Sequence, residues 1–381
     1  MKRAVATRPS QDTSYSRVLY MAFELGRTEW KLGFTTGLGQ TPRERTLRAG
    51  DLTAVETEID RARSRFGLPR TAEVISCYEA GRDGFWLHRF LDAIGHTNHV
   101  VDSSSIEVKR KAKRVKTDRI DLSGLLRLLI RFHSGERRVW SVLRVPSPEA
   151  EDARQLHREL ITARRDRTRT INRIRSLMAT QGFSITLRPG FMNALEHTVL
   201  WDGLAIPVHL RTRLVREWQR LLAQRKLVRE IESERNRLFR ESHDAAIEQV
   251  RQLYRLRGVG IESAWLFVME FFAWRQFTNR RQVGALAGLT PTPFQSGSVR
   301  REQGIAKSGN ALVRWLAIEI AWSWLRYQPD SDLAIWYERR FGSGSSRIRR
   351  IGIVALARRL LIEFWRFLET GALPNGAFTK A

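Results

Sequence analysis

Short alternations of apolar and polar residues predict an α/β domain in the first part of the chain. Their spacing predicts three strands, a helix, a strand, a helix, a strand and a final helix. The strands are predicted at Arg17–Leu25, Trp30–Thr36, Arg45–Ala49, Glu73–Tyr78 and Asn98–Asp102, and the helices at Asp51–Phe66, Phe85–Ala93 and Thr117–Phe132. The domain is assigned to residues 17–145, between a flexible arm at residues 1–16 and a linker, VPSP, at residues 145–148.

A longer, helical period follows in residues 146–252. Aliphatic residues recur at helical spacing through two charged stretches, Glu149–Gln181 and Val208–Leu256, and Gly182–Pro207 interrupts them with glycines and prolines. Two such helices form either an antiparallel hairpin or a dimerising coiled coil. We therefore expect a long helical coiled-coil arm in a homo-oligomer, with dimer and tetramer both open.

The last region, residues 253–381, is rich in tryptophan and mostly helical. A turn-rich stretch (GLTPTPFQSGSVR) precedes a helix at Asn310–Tyr327, and a flexible GSGSS loop at residues 342–346 precedes the last helix, Arg350–Thr370. The LRGVG segment has a helix-hairpin-helix-like pattern, in which Gly258 and Gly260 let backbone N–H groups approach a phosphate. A plain glycine turn between two helices explains the same residues equally well.

The charge balance of the chain indicates that it binds nucleic acid. The chain has 66 Lys and Arg against 40 Asp and Glu, a formal net charge of +26. A protein this basic repels itself unless a polyanion is near. The single cysteine, Cys77, excludes an internal disulfide or a multi-cysteine zinc site. Neither a membrane-spanning run nor a signal peptide is present, so we expect a cytoplasmic protein without a membrane partner.

Four carboxylates of the first domain occupy the ends of predicted elements. Glu24 lies near the end of the first strand, Glu79 follows the fourth, and Asp118 and Asp121 are three apart in the last helix. In the ribonuclease-H fold, which has this order of elements, the first and fourth strands are neighbours, so these acids would converge. Converging carboxylates stay ionised around cations, and a pair of Mg²⁺ ions about 3.5–4 Å apart suits phosphoryl displacement. Alternatively, they are surface acids, and the two aspartates suit the helix dipole without a metal.

Two clusters of basic residues are candidates for binding a nucleic-acid backbone. One precedes the aspartates and comprises Lys109, Arg110, Lys111, Lys113, Arg114 and Lys116. The other is in the first helix of the arm and includes Arg164, Arg165, Arg169 and Arg173. A solvated loop and a helix face paired with nearby acids are the respective alternatives. Charge alone does not distinguish RNA from DNA.

A set of short motifs, in a fixed order along the chain, resembles one known family. They are Phe23–Gly26 (FELG), Tyr78–Gly81 (YEAG), Val101–Val108 (VDSSSIEV), Lys116–Leu122 (KTDRIDL), Leu256–Gly260 (LRGVG), Ala287–Pro291 (AGLTP), Gln295–Gly297 (QSG), Ile305–Arg314 (IAKSGNALVR) and the tail Ala355–Ala377 with FWRFLETGALPNGA. The chain resembles the insertion-sequence 110 family of transposases, the DEDD-type recombinases guided by a bridge RNA. The resemblance covers residues 17–378.

The resemblance implies a ribonuclease-H-like first domain in which Glu24, Glu79, Asp118 and Asp121 bind metal. The family's first acid is commonly aspartate, whereas Glu24 has a longer side chain. It also implies a nucleophilic serine in a C-terminal transposase domain, and Ser296 is the match. Ser298 and Ser308 are alternatives, as is a structural role for Ser296 in a turn or cap.

The residues beside Ser296 suit phosphoryl transfer. Arg300, Arg301 and Lys307 are close in sequence and would neutralise the developing charge of a phosphate. A serine hydroxyl needs a base or a metal to activate it; no histidine is near in sequence, and the metals of the four acids could do so if the two domains meet. The resemblance implies that the two domains meet across protomers to form this composite site.

The predicted function is that of a DNA recombinase that moves its own insertion sequence. The resemblance implies a covalent phosphoserine intermediate, Mg²⁺, donor and target DNA, and a structured noncoding RNA that chooses both sites by base pairing. It also implies a bacterial or archaeal protein associated with the nucleoid. The absence of a GxxxxGK[ST] pattern agrees with a reaction that needs no ATP. Two alternatives remain: a metal-only nuclease of the junction-resolvase type, and a non-catalytic nucleic-acid-binding scaffold.

Overall fold

The computed structural model of the chain describes residues 18–107, 118–296 and 299–380. The predicted arm at residues 1–16 and the basic stretch from Lys109 to Lys116 lie outside the described residues. The chain divides into two compact units, Met1–Val145 and Pro146–Ala381. No helix in the described part of the chain is long and apolar enough to cross a membrane.

A five-stranded mixed sheet forms the centre of the first unit. Its strands are β1 (Val18–Leu25), β2 (Glu29–Thr35), β3 (Arg43–Arg48), β4 (Glu73–Glu79) and β5 (Thr97–Val101), in the order β3-β2-β1-β4-β5. The first three strands pair antiparallel, and β4 pairs parallel with both β1 and β5. Alternate residues of β1 enter two different cores, with Leu19 and Met21 on one face and Tyr20 and Ala22 on the other. β1 is therefore a central strand that is covered on both faces.

Three helices cover the sheet: α1 (Leu52–Arg65), α2 (Trp86–Ala93) and α3 (Asp118–His133). Helices α1 and α2 contribute to one core, and α3 alone contributes its leucines to the core on the opposite face. Helix α1 begins after Asp51, whose carboxylate accepts a hydrogen bond from the Ala54 N–H at 2.9 Å. The sheet thus separates two packed layers, and the layer formed by α3 is the one that matters for the candidate site.

The second unit begins with a helical arm folded back on itself. Its helices are α4 (Pro148–Asp152), α5 (Gln155–Ala179), α6 (Phe191–His197), α7 (Val208–Glu241) and α8 (Ala245–Tyr254). Helices α5 and α7 pack antiparallel within one chain: Ile174 near the end of α5 shares a core with Trp218 near the start of α7, whereas Leu160 meets Ile231. The described arm is therefore an intramolecular hairpin.

Two helix predictions for the arm were too long. The second stretch does not continue to Leu256, because α7 ends at Glu241 and α8 begins at Ala245. Asp244 causes the new start: its carboxylate accepts a hydrogen bond from the Ala246 N–H at 2.7 Å. The first stretch is likewise divided into α4 and α5, and the interruption that follows it contains the short helix α6.

The rest of the second unit is a helical core with one β-hairpin. Its elements are α9 (Ile261–Phe267), continued by a π-helical turn, α10 (Arg280–Leu286), β6 (Pro291–Ser296), β7 (Val299–Ile305), α11 (Ala311–Tyr327), α12 (Asp332–Tyr337), also continued by a π-helical turn, and α13 (Ser346–Thr370). Buried aromatic side chains fill its centre, among them Trp265, Trp324 and Phe364. Aromatic rings of this size supply much of the apolar area that holds such a core together.

Two predictions for this region were wrong. The stretch predicted to be rich in turns contains an antiparallel hairpin, in which β6 pairs with β7. The GSGSS segment is not a free loop before a helix at Arg350, since α13 begins at Ser346. The Ser345 hydroxyl caps α13 by accepting a hydrogen bond from the Ile348 N–H at 3.5 Å.

Candidate active site

The carboxyl ends of β1 and β4 bring two of the predicted acids to neighbouring positions. The two strands are parallel, and the last paired residues in register are Phe23 and Tyr78. Glu24 and Glu79 come next on each strand, where neighbouring strands lie about 4.8 Å apart. Ala22 and Cys77, two residues earlier on each strand, both face the core that α3 covers. Because side chains alternate along a strand, Glu24 and Glu79 belong to this same face.

Helix α3 crosses the face of the sheet that contains Ala22 and Cys77. Its first turn lies over β2, where a Cβ added at Gly33 would approach Leu122 to 3.0 Å. Gly33 pairs with Ala22 of β1. At the other end of α3, His133 Nδ1 is hydrogen-bonded to the Tyr20 hydroxyl at 2.7 Å. The helix therefore runs from the level of residue 22 towards the level of residue 20, and its start lies towards Glu24.

The other two predicted acids are at this start. Helix α3 begins at Asp118, and Asp121 is in its first turn. Their side chains lie outside the described part of the structure. The backbone thus brings all four predicted acids to one end of the sheet, with two on strands and two on the helix that crosses them. Among the described side chains, which exclude both aspartates, no three metal-binding groups are clustered for an ion.

The donor set at this end of the sheet suits a hard cation. Carboxylate oxygens are the ligands that Mg²⁺ prefers. Glu24 is half-buried and Glu79 is exposed. Lys31 of β2 is the residue opposite Glu24 in the register of β1 and β2. Asp102, which was not among the predicted acids, directly follows β5 on the same carboxyl edge. Its position could have been noticed, because it ends the third parallel strand as Glu79 ends the second.

Cysteine chemistry is excluded at this site. Cys77 lies two residues before Glu79 and is fully buried. Burial, and then the charge of Glu79, raise the pKa of the Cys77 thiol well above its ordinary value. The thiol therefore stays protonated and is not a nucleophile at neutral pH.

Ser296 lies at the closed end of the hairpin in the second unit. It is the last residue of β6 and pairs with Val299, the first residue of β7, while Arg300 pairs with Gln295. The side chains of Ser296, Arg300 and Arg301 lie outside the described part, and so does Ser298. The backbone places Ser296 at the last described pair of the hairpin, with Val299 opposite it.

The open end of the hairpin is held by tight backbone contacts. The Ala306 N–H donates to the Thr290 carbonyl at 2.9 Å, and the Lys307 N–H donates to the Gly288 carbonyl at 3.2 Å. Gly288 has a φ of +68°, and a Cβ there would lie 2.0 Å from the Ser308 carbonyl oxygen. Lys307, a predicted phosphate contact, is exposed and has a left-handed φ of 57°. These contacts fix the base from which the serine-bearing end projects.

The LRGVG turn joins α8 to α9 and packs against α11. Gly258 has a φ of +90°, and a Cβ there would lie 3.2 Å from Tyr327 Cβ. Its carbonyl accepts a hydrogen bond from the Ser323 hydroxyl at 2.9 Å. Gly260 directly precedes α9. Packing therefore accounts for Gly258 without a bound phosphate.

The arginines predicted to bind nucleic acid on the arm have two different environments. Arg164 forms ion pairs with Glu232 and Glu262, and Arg173 pairs with Glu217 at 2.9 Å. These pairs join α5 to α7 and α9, so they stabilise the hairpin. Arg165 and Arg169 are exposed, and Arg169 pairs only with Asp166 of its own helix, at 3.2 Å. An exposed pair of this kind exchanges readily for a phosphate contact.

Comparison with known proteins identifies the class to which this arrangement belongs. Residues 250–334 match a family model described as the transposase IS116/IS110/IS902 family. A relative from Sinorhizobium fredii, named "Putative transposase y4rJ", is 39% identical over 377 residues, which are 95% of this chain and 94% of the relative. A second from the same organism, named "Putative transposase y4qE", is 29% identical over 313 residues, or 81% and 72% of the two chains. The transposase for insertion sequence element IS1328 of Yersinia enterocolitica is 26% identical over 235 residues, or 60% and 66%.

These relatives are transposases, and similarity to the first of them extends over nearly the whole chain. The chain belongs to the IS116/IS110/IS902 family of transposases. It is therefore an enzyme that cuts and rejoins DNA to move an insertion sequence, and DNA is its substrate.

Proposed function

We propose that this transposase cuts DNA by attack of Ser296 on the scissile phosphate, with Glu24, Glu79, Asp118 and Asp121 as the metal-binding acids. The observation that carries the proposal is the adjacency of β1 and β4, which aligns Glu24 with Glu79 at the end of the sheet where α3 begins. The strand order β3-β2-β1-β4-β5 supports a ribonuclease-H-like unit.

The proposed reaction has two phosphoryl transfers. Ser296 Oγ forms a bond to phosphorus as the P–O bond to one deoxyribose breaks, and that strand leaves as a free hydroxyl. The serine loses its proton, and the departing oxygen gains one. Donor and target DNA are both cut in this way. The free hydroxyl of one then attacks the phosphoserine of the other, which joins the two strands and returns the proton and the free hydroxyl to Ser296. The bond energy is conserved, so no nucleotide triphosphate is needed.

The carboxylates have a supporting role in this scheme. Bound Mg²⁺ would supply Lewis-acid stabilisation of the charge on the transferring phosphate. Glu24 and Glu79 would hold the ions from the strands, and Asp118 and Asp121 from the first turn of α3. The scheme requires the serine-bearing hairpin to meet this end of the sheet, within one protomer or, as the family resemblance implies, between two.

We propose that a structured noncoding RNA selects the donor and target DNA by base pairing. The family resemblance implies this RNA, and the net charge of +26 permits it without distinguishing RNA from DNA. The exposed Arg165 and Arg169 on the arm would contact its backbone. In such a division of labour the protein recognises the shape of the duplex and pairing recognises its sequence.

A trapping assay tests this function. The protein, its RNA and labelled donor and target DNA are incubated with Mg²⁺ and separated on a denaturing gel. We expect a protein–DNA adduct that is lost in Ser296→Ala and in Glu79→Gln. Glu73→Gln is the matched control, because Glu73 is an exposed acid at the opposite end of the same strand, and it should retain the adduct.

The alternatives give different gels. Cleaved DNA without an adduct, persisting in Ser296→Ala, would indicate a metal-only nuclease and refute the phosphoserine. Loss of the adduct in Ser296→Ala but not in Glu79→Gln would refute the assignment of the acids.

A further inference from the structure

The second unit contains a cavity of about 960 Å³ that neither the predicted acids nor the predicted serine occupies. It lies between α10, the open end of the β6–β7 hairpin, α12 and α13. Six arginines line it, two from the start of α10 and four from α13: Arg280, Arg281, Arg347, Arg350, Arg358 and Arg359. We call this cavity and its six arginines the arginine groove.

The arginine groove has far fewer carboxylates than arginines among its lining residues. None of its six arginines forms an ion pair with a described acid, although many arginines elsewhere in the chain do. The one acid in its lining, Glu363, forms its ion pair with Arg366, at 3.1 Å. Arginines brought together without acids repel one another unless an anion joins them. The arrangement therefore favours an anionic ligand over a purely structural role.

Two of these arginines show the cost of this crowding. Arg358 Nε is buried and has no hydrogen-bond partner in the described structure. Burial, together with the charges of Arg340 and Arg358, lowers the pKa of Arg359. The Arg359 guanidinium lies over the Trp336 ring, 3.8 Å from its centroid. A phosphate in the groove would accept hydrogen bonds from the guanidinium groups that line it and neutralise their charge.

The floor of the arginine groove is apolar. Leu289, Ile305, Ile351 and Val354 line it between the arginines, and Ile351 is 51% exposed. A DNA duplex presents phosphates and polar base edges, whereas a single strand also presents the apolar faces of its bases. The combination of an aliphatic floor and an arginine rim therefore fits a single strand better than a duplex.

The arginine groove is continuous with the hairpin that carries Ser296. Pro291 and Ile305, which pair at the open end of this hairpin, belong to its lining. Ser296 is five residues further along β6, a distance of about 17 Å at the usual rise of a strand. A strand held in the groove thus lies within a few nucleotides of the serine.

We propose that the arginine groove binds single-stranded DNA next to the phosphate that is cut, and holds it by its backbone without reading its sequence. The position of the groove next to the cut phosphate rests on the proposed role of Ser296. The binding of single-stranded DNA by the groove does not depend on that role. The groove would retain the strand end that cleavage frees until it is rejoined.

The test is binding of a fluorescent mixed-sequence DNA 20-mer, measured by anisotropy on the full chain without guide RNA. Arg347→Gln with Arg350→Gln removes two exposed arginines of the groove. The matched control, Arg326→Gln with Arg349→Gln, removes two exposed arginines outside its lining. We expect the groove variant to bind at least about tenfold more weakly at 0.1 M salt, and the salt slope to fall by about 1.4 because two contacts are lost. The control should change both little.

A second variant tests the preference for a single strand. Ile351→Asn makes the exposed part of the floor polar, and we expect it to weaken binding of the single strand while leaving binding of the corresponding duplex unchanged. The proposal would be overturned if the groove variant and the control variant lost equal affinity for the DNA 20-mer. It would also be overturned if the groove variant bound an RNA 20-mer more weakly but the DNA 20-mer as tightly as the wild type. Ser296→Ala should bind single-stranded DNA like the wild type, so failure of the serine assignment and failure of the groove are distinguishable.

Discussion

Replacing Gly33 by valine tests whether the sheet beneath α3 positions the predicted metal-binding acids. A Cβ at residue 33 would lie 3.0 Å from Leu122 Cδ2 and Cγ and from Leu126 Cδ1. Both leucines are 2% exposed and packed into the core, so they have no space into which to turn. Valine adds two further methyl groups at the same place, and α3 must move away from the sheet.

The expected cost is about 2 kcal/mol, within the usual range for overpacked cores. The measurement is hydrogen exchange of the amides of β1 and α3, which reports the opening of this unit alone. A loss of about 2 kcal/mol makes these amides exchange roughly 30-fold faster. Because α3 carries Asp118 and Asp121 in its first turn, adduct formation in the trapping assay should fall by about 100-fold, even where the protein remains folded.

Gly124→Ala is the matched control for this prediction. Gly124 is in the same helix, and a Cβ there meets nothing within 4 Å. Alanine should stabilise the helix by about 0.5–1 kcal/mol and preserve adduct formation. If Gly33→Val exchanged its amides and formed the adduct like the wild type, the packing of α3 on β2 would not set the geometry of the acids.

Two further variants test the contacts that stabilise each of the two units. Glu58 is 4% exposed and pairs with buried Arg43; burial raises its pKa, but hydrogen bonds from Arg61 and Arg43 outweigh this and lower it. The stabilisation by the Glu58 carboxylate is thus present above about pH 4 and is lost as pH falls through the lowered pKa. Glu58→Gln should therefore lower the free energy of unfolding by about 3 kcal/mol at pH 7 and by less at pH 3.5, as measured by urea titration. Trp218 stacks on Phe191 with ring centroids 4.6 Å apart. Trp218→Ala should lower the free energy of unfolding by about 3–5 kcal/mol and make the amides of α5 exchange faster. Unchanged exchange in α5 would show that other contacts hold the arm.

The sequence predicted the elements of the first unit closely because strong local features bound them. Turns containing glycine separate its strands, and Asp51 marks the start of α1 by capping it. The four candidate acids were selected because each lies near the end of a predicted element, and their role as metal ligands stays a prediction.

The parts that the sequence did not predict either carry no strong local signal or depend on contacts between distant residues. The break between α7 and α8 has no proline or glycine, and the helical period runs through Asp244 without interruption. Arg164 is paired with Glu232, which is 68 residues away, so its ion pair could not be distinguished from a free phosphate contact. The arginine groove combines residues of α10 and α13 that no motif connects.

Identification of the residue that is joined to DNA is a direct test of the phosphoserine mechanism. The adduct formed with Mg²⁺ is digested with nuclease and protease, and the peptide carrying the remaining nucleotide is sequenced by mass spectrometry. The account predicts the nucleotide on the Ser296 hydroxyl, at the closed end of the β6–β7 hairpin. A nucleotide on Ser298, on Ser308 or on any residue of the first unit would contradict it.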